Sequence, residues 1–188
     1  MNVARFAAGL TEAFEVAAVA VIAAILTAAM TLQYGAGEIP CPLCLIERVA
    51  LFGAAFGLLM NLRGPYSSRF TGLTLLFSLF LLIVSARQTL LDIYPRPGHA
   101  YVGGAVFGLH MPVWSVVIAV ALIGAVACRL ALLGEESAGR TASAAASRIG
   151  RIIGFYVLAL CAVNLVSVVV QCGFGQCHTT GYALLEPG

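Results

Sequence analysis

The sequence predicts an all-α integral membrane protein, and three observations support this fold class. The chain has 188 residues, of which 61% are hydrophobic, and its mean hydropathy is +1.01. Only 10% of the residues are charged, whereas a soluble domain carries about 25%. Apolar runs of about 20 residues recur without the alternation typical of strands, and runs of that length cross a bilayer as helices.

Five such runs are predicted to span the membrane, at residues 16–32, 42–62, 70–91, 113–133 and 152–171. Before the first, Glu12 and Glu15 precede a long apolar stretch, which favours a retained span over a cleaved signal peptide. The second opens with Pro42, which suits the first position of a helix. The third follows a polar break, and the fourth follows a segment rich in glycine and proline. Segment 134–150, which is small and polar, is predicted to be a flexible linker to the fifth.

All five spans are assigned to a single membrane domain over residues 1–188, and the arginines predict its orientation. The N-terminal tail and the breaks after the second and fourth spans contain Arg5, Arg63, Arg69, Arg140, Arg148 and Arg151. The breaks after the first and third spans contain Arg96 alone. The positive-inside rule therefore places the N-terminus in the cytoplasm and the C-terminal tail on the outer face, together with segments 33–40 and 92–112.

Segment 92–112 mixes glycine, proline and aromatic residues, so part of it is expected to lie along the membrane surface. The aromatic-belt residues expected at this face are Tyr94, Tyr101 and Trp114. The ten basic residues are all arginine and are spread thinly. The partners implied so far are membrane lipid and not nucleic acid, because no basic stripe is present.

The stretch IPCPLCLIER places a Cys-x-x-Cys pair where the first outer segment enters the second span. With Pro42 at the first helical position, Cys41 is predicted to cap the helix and Cys44 to lie in its first turn. The positive helix N-terminus stabilises a thiolate there. Arg48, four residues after Cys44, is expected on the same helix face, where it can favour that thiolate or donate to a carbonyl oxygen of a bound acceptor.

Other interpretations of this pair remain open at this point. A Cys-x-x-Cys can be half of a zinc site, for which His110 or His178 could supply further ligands. The cysteines could be two small residues at a helix start. Arg48 could reach the interface and pair with Glu47.

A second pair, Cys172 and Cys177, brackets GFGQ directly after the fifth span. The two glycines permit a tight loop, so a disulfide is geometrically easy. On the outer, oxidising side, two such pairs could form a dithiol–disulfide relay, and the alternative is a static staple of the tail. Cys128 and Cys161 fall inside spans and are expected to be small packing residues.

Three stretches, PCPLCLIER, RQTLLDIYPRP and GLHMPVW, resemble the bacterial disulfide bond formation protein B (DsbB) family, over residues 16–133. The resemblance implies an antiparallel four-helix bundle in the inner membrane with a quinone, ubiquinone or menaquinone, near the Cys-x-x-Cys. It implies a soluble periplasmic thioredoxin-fold dithiol oxidase (DsbA-like) as partner. By that resemblance Cys41 exchanges with the incoming thiol, Cys44 faces the quinone, and Arg48 holds a quinone oxygen.

The chain departs from the family pattern in two places. The family's second cysteine pair lies in the loop after the third span, but segment 92–112 contains no cysteine. We expect Cys172 and Cys177, after an extra fifth helix, to replace that pair as catalytic residues. A histidine of the quinone site in some members corresponds here to Gln88, and His110 is a further candidate at that site. No metal is expected.

The function predicted from these residues is a thiol:quinone oxidoreductase that reoxidises a DsbA-like oxidase. Two alternatives are kept. One is a quinone reductase like vitamin K epoxide reductase, although there the active pair lies in a late helix and the relay pair in an earlier loop. The other is a non-enzymatic membrane protein with an outer-face metal site or structural disulfides.

Overall fold

The computed structural model describes residues 3–94, 105–133, 140–173, 175, 177 and 181–185. Within these ranges the helices are α1 (Val3–Gly35), α2 (Pro42–Arg63), α3 (Ser68–Ile93), α4 (Met111–Leu133) and α5 (Ala144–Cys172). A two-stranded antiparallel hairpin, β1 (Ala105–Val106) and β2 (Leu109–His110), directly precedes α4. Each helix contains a segment long and apolar enough to cross a membrane, which confirms the predicted fold class.

Two helices extend beyond the predicted apolar runs. Helix α1 begins at Val3, well before the apolar run predicted from residue 16. In the added turns Glu12 and Glu15 have partners elsewhere in the protein, Ser143 and Arg129. Helix α5 begins at Ala144, so the prediction of a flexible linker is wrong for residues 144–150. Ser143 caps this helix by accepting a hydrogen bond from the Ala146 amide at 3.3 Å, and its own hydroxyl donates to Glu12 at 2.6 Å. Residues 134–139 lie outside the described residues.

Helix α2 lies at the centre of the bundle, packed against α1, α3 and α5. Its Ala50, Ala54 and Leu58 are buried in one core cluster that includes side chains from all the other helices. Small residues let the helix backbones approach closely, as is usual in membranes. At Gly57 the helix backbones come close together, since an added Cβ would meet the Thr74 hydroxyl and a backbone carbonyl of α3.

One end of the bundle, here called the disulfide end, contains both cysteine pairs. The end of α1, the start of α2, the end of α3, the start of α4 and the end of α5 meet there. Side-chain contacts join these elements: Gln33 with Arg48, Gln88 with Cys41, and Glu47 with Ser115. The end of α5 reaches the same place through Gln171.

The opposite end is fastened by five buried residues, here called the polar clasp: Glu15, Asn61, Tyr66, Thr71 and Arg129. Arg129 pairs with Glu15 at 3.5 Å and also donates to the hydroxyls of Thr71, at 3.2 Å, and Tyr66. Asn61 donates to Glu15 and to Thr71, at 3.2 Å each. The clasp therefore joins four helices and the α2–α3 turn. An arginine inside an apolar run was the available sequence signal, since such charges are costly without partners.

The segment before α4 is described only from residue 105. Phe107 and Gly108 form the hairpin tip with φ of 52° and 77°, as two-residue hairpin turns require. Trp114 donates from its indole to the Val106 carbonyl at 3.0 Å and packs edge-on against the Phe107 ring. Tyr94 is exposed, and Tyr101 lies outside the described residues. That this segment lies along the membrane surface stays a prediction.

Candidate active site

The Cys-x-x-Cys pair forms a disulfide at the start of α2, with Cα atoms 5.1 Å apart. Cys41 is the helix cap, as predicted from Pro42, and its Sγ accepts a hydrogen bond from the Cys44 amide at 3.1 Å. Both cysteines are half-buried. The amide of the first helical turn therefore points at the Cys41 sulfur, where it can stabilise a thiolate released by opening the bond.

Gln88 of α3 lies directly against this disulfide. Its Nε2 is 3.1 Å from the Cys41 Sγ and 3.5 Å from the Cys44 Sγ, close enough to donate to both sulfurs. The side chain is buried, and its Oε1 has no hydrogen-bond partner among the described residues. The sequence analysis singled out Gln88, and the structure places its amide at the sulfurs with an acceptor oxygen to spare.

Arg48 extends from α2 toward α1 and α5. Its Nη1 donates to Gln33 Oε1 at 2.6 Å and to Asn164 Oδ1 at 3.4 Å, and its Nη2 donates to the Ala29 carbonyl at 3.2 Å. The pairing of Arg48 with Glu47 that the sequence left open is not formed. The Glu47 carboxylate, also buried, accepts instead from Ser115 of α4 at 2.8 Å.

The second pair, Cys172 and Cys177, also forms a disulfide, directly after the last turn of α5. Residues 181–185 fold back onto the helix end, where the last carbonyls have no intrahelical donor. The Ala183 amide donates to the Gln171 carbonyl at 3.2 Å, and the Leu184 amide donates to the Val170 carbonyl at 3.1 Å. Cys177 thus lies in the chain between the end of α5 and a segment that is hydrogen-bonded to it.

The two pairs are connected through Gln171, which precedes Cys172. Its side chain is fully buried, and Nε2 donates to the carbonyl of Pro40, the residue before Cys41, at 2.7 Å. The structure therefore brings the end of α5 onto the chain segment that leads into the Cys-x-x-Cys.

Sequence reasoning missed the polar residues that attach α5 to this end. Ser167 accepts from Gln33 at 2.5 Å, and Gln33 also donates to the Tyr182 hydroxyl at 3.2 Å. Asn164, Ser167 and Gln171 follow the i, i+3, i+7 spacing of one helix face. A polar stripe at that spacing in an apolar run was the signal that could have identified this contact face.

The remaining candidates are two histidines and the two cysteines outside the disulfides. His110 is exposed at the last position of β2, directly before α4. His178 lies outside the described residues. Cys161 is half-buried, but Cys128 is exposed, so the prediction that it packs in the bundle is wrong: it lies on the outward face of α4. The described residues contain no group of three or more metal-ligating side chains.

Residues 11–100 match the family model described as disulfide bond formation protein DsbB. Two curated relatives are each named disulfide bond formation protein B. The one from Paracidovorax citrulli is 42% identical over 89 residues, 46% of this chain and 50% of the relative. The one from Pasteurella multocida is 37% identical over 73 residues, 37% of this chain and 41% of the relative. No solved structure matches the chain.

The chain spans half or less of the length of these curated relatives. The family match contains Cys41, Cys44, Arg48 and Gln88 and ends before the hairpin. Helices α4 and α5, and with them the second disulfide, lie outside it.

Proposed function

The chain belongs to the DsbB family of disulfide bond formation proteins, and from this premise we propose that it is a thiol:quinone oxidoreductase of the bacterial inner membrane. It reoxidises a soluble periplasmic dithiol oxidase of the thioredoxin fold, DsbA-like, and passes the electrons through Cys41 and Cys44 to a quinone. The observation that carries this proposal is the Cys41–Cys44 disulfide at a helix start with the buried Gln88 amide against both sulfurs.

The orientation supported by the arginines suits this function. Arg63 and Arg69 flank the α2–α3 turn, and the Tyr66 amide donates a hydrogen bond to the Arg140 backbone carbonyl at that same end of the bundle. With this end in the cytoplasm, the disulfide end faces the periplasm. The periplasm is oxidising, and it is the compartment of the proposed partner. Both disulfides would therefore persist there until a dithiol opens them.

The electron path runs by thiol–disulfide exchange. The partner's dithiol opens Cys172–Cys177, and the electrons then pass to Cys41–Cys44 by a second exchange. Each step forms one S–S bond for each one broken, and the protein gains a dithiol while the partner gains a disulfide. The Gln171–Pro40 hydrogen bond supports this order because it attaches the end of α5 beside the Cys41 cap.

The residues around Cys44 suit a quinone as the final acceptor. A quinone takes two electrons and two protons and leaves as a quinol, whose hydroxyls donate hydrogen bonds. Gln88 offers its Nε2 as a donor to a carbonyl, and its buried Oε1, which has no hydrogen-bond partner among the described residues, can accept from a hydroxyl. Gln88 is therefore the first residue we place at the quinone, ubiquinone or menaquinone.

Arg48 and His110 are further candidates at this site. Arg48 donates three hydrogen bonds to oxygen atoms of α1 and α5, and its Nη1 also lies 3.7 Å from the Met30 sulfur, so Nε and one Nη2 hydrogen are not used by these contacts. A guanidinium has about five N–H donors, so this leaves capacity for a quinone oxygen. His110 directly precedes α4, whose first turns contain the Ser115 that bonds Glu47.

The test is quinone reduction by purified protein supplied with a reduced DsbA-like partner and a short-chain ubiquinone, followed by quinone absorbance. We expect Cys44→Ser to abolish turnover, and Cys128→Ser, which alters an exposed unpaired cysteine, to leave it unchanged. Full turnover in Cys44→Ser would overturn the function. Full turnover in Cys177→Ser would show that the second disulfide is structural and not part of the electron path, and the proposed oxidase activity would stand.

A further inference from the structure

The two sulfurs of the tail disulfide differ in their surroundings. Cys172 is the last residue of α5 and is only 8% exposed, whereas Cys177 is half-buried in the loop that follows. Exchange requires the attacking thiolate to reach a disulfide sulfur, so access discriminates between the two. A folded partner protein meets Cys177 first.

Cys172 is held toward the first cysteine pair by its neighbour. Gln171 is fully buried and bonds the Pro40 carbonyl at 2.7 Å, so the residue before Cys172 contacts the residue before Cys41. A bond between two buried groups, each one position away from a cysteine, restricts how far the two cysteines can separate.

The rest of α5 is fastened to the same end. Asn164 and Ser167 bond Arg48 and Gln33, and Tyr182 of the folded-back tail also bonds Gln33. These polar contacts are buried or half-buried within an apolar bundle, where unpaired polar groups are costly. The helix therefore presents Cys172 from a fixed position, and Cys177 lies on the loop side.

We infer that the two tail cysteines divide the exchange: Cys177 receives the partner's thiolate, and Cys172 is the sulfur that exchanges with Cys41. Gln171 is the positioning residue that aligns the second step. This inference rests on the proposed function and specifies the roles of residues within it.

Each exchange step breaks one S–S bond and forms another. The partner's thiolate attacks the Cys177 sulfur, the Cys172–Cys177 bond breaks, and Cys172 leaves as a thiolate. The Cys172 thiolate attacks the Cys41 sulfur, the Cys41–Cys44 bond breaks, and Cys44 leaves as a thiolate. The partner's second thiolate then displaces Cys177, and the Cys177 thiolate attacks Cys172 to restore the tail disulfide and free Cys41. Two electrons have moved from the partner dithiol to Cys41 and Cys44.

Trapping tests the assignment, in protein that also carries Cys128→Ser and Cys161→Ser. Cys44→Ser with Cys177→Ser leaves Cys41 and Cys172 as the only thiols, and we expect them to form a disulfide in most molecules. Cys44→Ser with Cys172→Ser leaves Cys41 and Cys177, and we expect the yield of a disulfide between them to be several-fold lower. Mass spectrometry of peptides measures both yields. Equal yields, or a higher yield for Cys177, would overturn the assignment.

A second trap identifies the sulfur that the partner attacks. A partner with its resolving cysteine replaced by alanine is mixed with protein whose tail disulfide is intact. Peptide mapping is expected to find the partner joined to Cys177. A partner joined mainly to Cys172 would contradict the inference even if quinone turnover is normal.

The positioning role of Gln171 is tested by Gln171→Leu, which keeps the volume and removes the donor. We expect the trapped Cys41–Cys172 yield and partner-driven turnover to fall about fivefold, the factor expected for one lost hydrogen bond. The rate at which the partner opens the tail disulfide should not change. Thr27→Val is the control, because it removes another hydrogen bond that attaches α5 to the bundle, the one between Thr27 of α1 and Tyr156. Equal losses in both variants would mean that Gln171 only stabilises the bundle.

Direct reduction of Cys41–Cys44 by dithiothreitol separates this inference from the proposed function. Wild-type protein that fails to reduce quinone with dithiothreitol contradicts the oxidase itself. Normal turnover with dithiothreitol, combined with reversed trapping, contradicts only the division of roles.

Discussion

Gln88 is the side chain whose contacts define the surroundings of the Cys41–Cys44 disulfide. Its amide hydrogens face both sulfurs, where a donor stabilises whichever sulfur becomes a thiolate when the bond opens. Its buried oxygen has no partner among the described residues, and a buried acceptor without a partner is costly. The Gln88 oxygen would gain a partner if an electron acceptor that donates a hydrogen bond in its reduced form binds beside Cys44. The Gln88 amide hydrogens could then also donate to a carbonyl of the oxidised form.

Replacement of Gln88 by leucine removes both groups at similar volume. We expect quinone reduction to slow about tenfold, chiefly through a higher apparent KM for quinone, since a hydrogen bond near a charged group contributes about 1.5–3 kcal/mol. Steady-state kinetics at varied quinone concentration measure this change. Gln88→His, which keeps a donor, should retain most of the activity, and Arg87→Leu, an exposed neighbour, is the control. An unchanged KM in Gln88→Leu would exclude contact with the quinone.

Arg48 illustrates what residue spacing can and cannot predict. The spacing from Cys44 correctly indicated an arginine one turn deeper in the helix, and the apolar context indicated that it needs a partner. Its partners, Gln33 and Asn164, come from two other helices. A side chain this long can point to several neighbours, and the choice depends on how the helices are rotated in the bundle. That rotation is a tertiary property which spacing within one helix does not contain.

At the scale of elements, the five helices could be predicted because the bilayer imposes length and hydropathy on any span. The ends of α1 and α5 could not, because their extra turns depend on partners distant in sequence. Ser143, for example, caps α5 while it bonds Glu12 of α1. The polar face of α5 was visible in the sequence as a stripe, but its contact with Pro40 and Gln33 was not.

The packing of α2 against α3 yields a prediction at Gly57. An alanine Cβ there would meet the Thr74 hydroxyl and the Phe70 carbonyl, which belongs to the backbone and cannot move cheaply. We expect Gly57→Ala to lower the free energy of unfolding by about 1–3 kcal/mol, the usual cost of overpacking. Thermal unfolding in detergent measures it.

Gly72→Ala is the matched control for Gly57. Gly72 lies on α3, is exposed, and has nothing within 4 Å of an added Cβ. Its replacement should leave stability unchanged or raise it by less than about 1 kcal/mol, through the better helix propensity of alanine. Similar losses for both variants would show that the close α2–α3 approach does not limit stability.

Across the whole molecule, polar groups are concentrated at the two ends of an apolar bundle, and the ends differ in kind. The disulfide end combines the two cysteine pairs with neutral amides and hydroxyls around Arg48. The opposite end is closed by the polar clasp, where the buried Arg129–Glu15 pair joins α4 to α1. This arrangement separates the site that we propose exchanges disulfide bonds from a buried cluster that joins the helices.

The polar clasp predicts a strong dependence of stability on paired charges. Arg129→Leu leaves the buried Glu15 without its cation, and we expect it to cost about 3–5 kcal/mol of unfolding free energy. The double variant Glu15→Leu, Arg129→Leu removes both charges and should cost much less than the sum of the single variants, because no buried charge is left uncompensated. Unfolding of the four proteins in mixed micelles completes this cycle, with Arg151→Leu, an exposed arginine of α5, as the control. Additive losses would contradict a coupled pair.

The polar clasp lies at the far end of the bundle from the sulfurs. The folded fraction of each of these variants should therefore retain wild-type quinone reduction. A loss of activity without a loss of stability would show that the two ends are coupled.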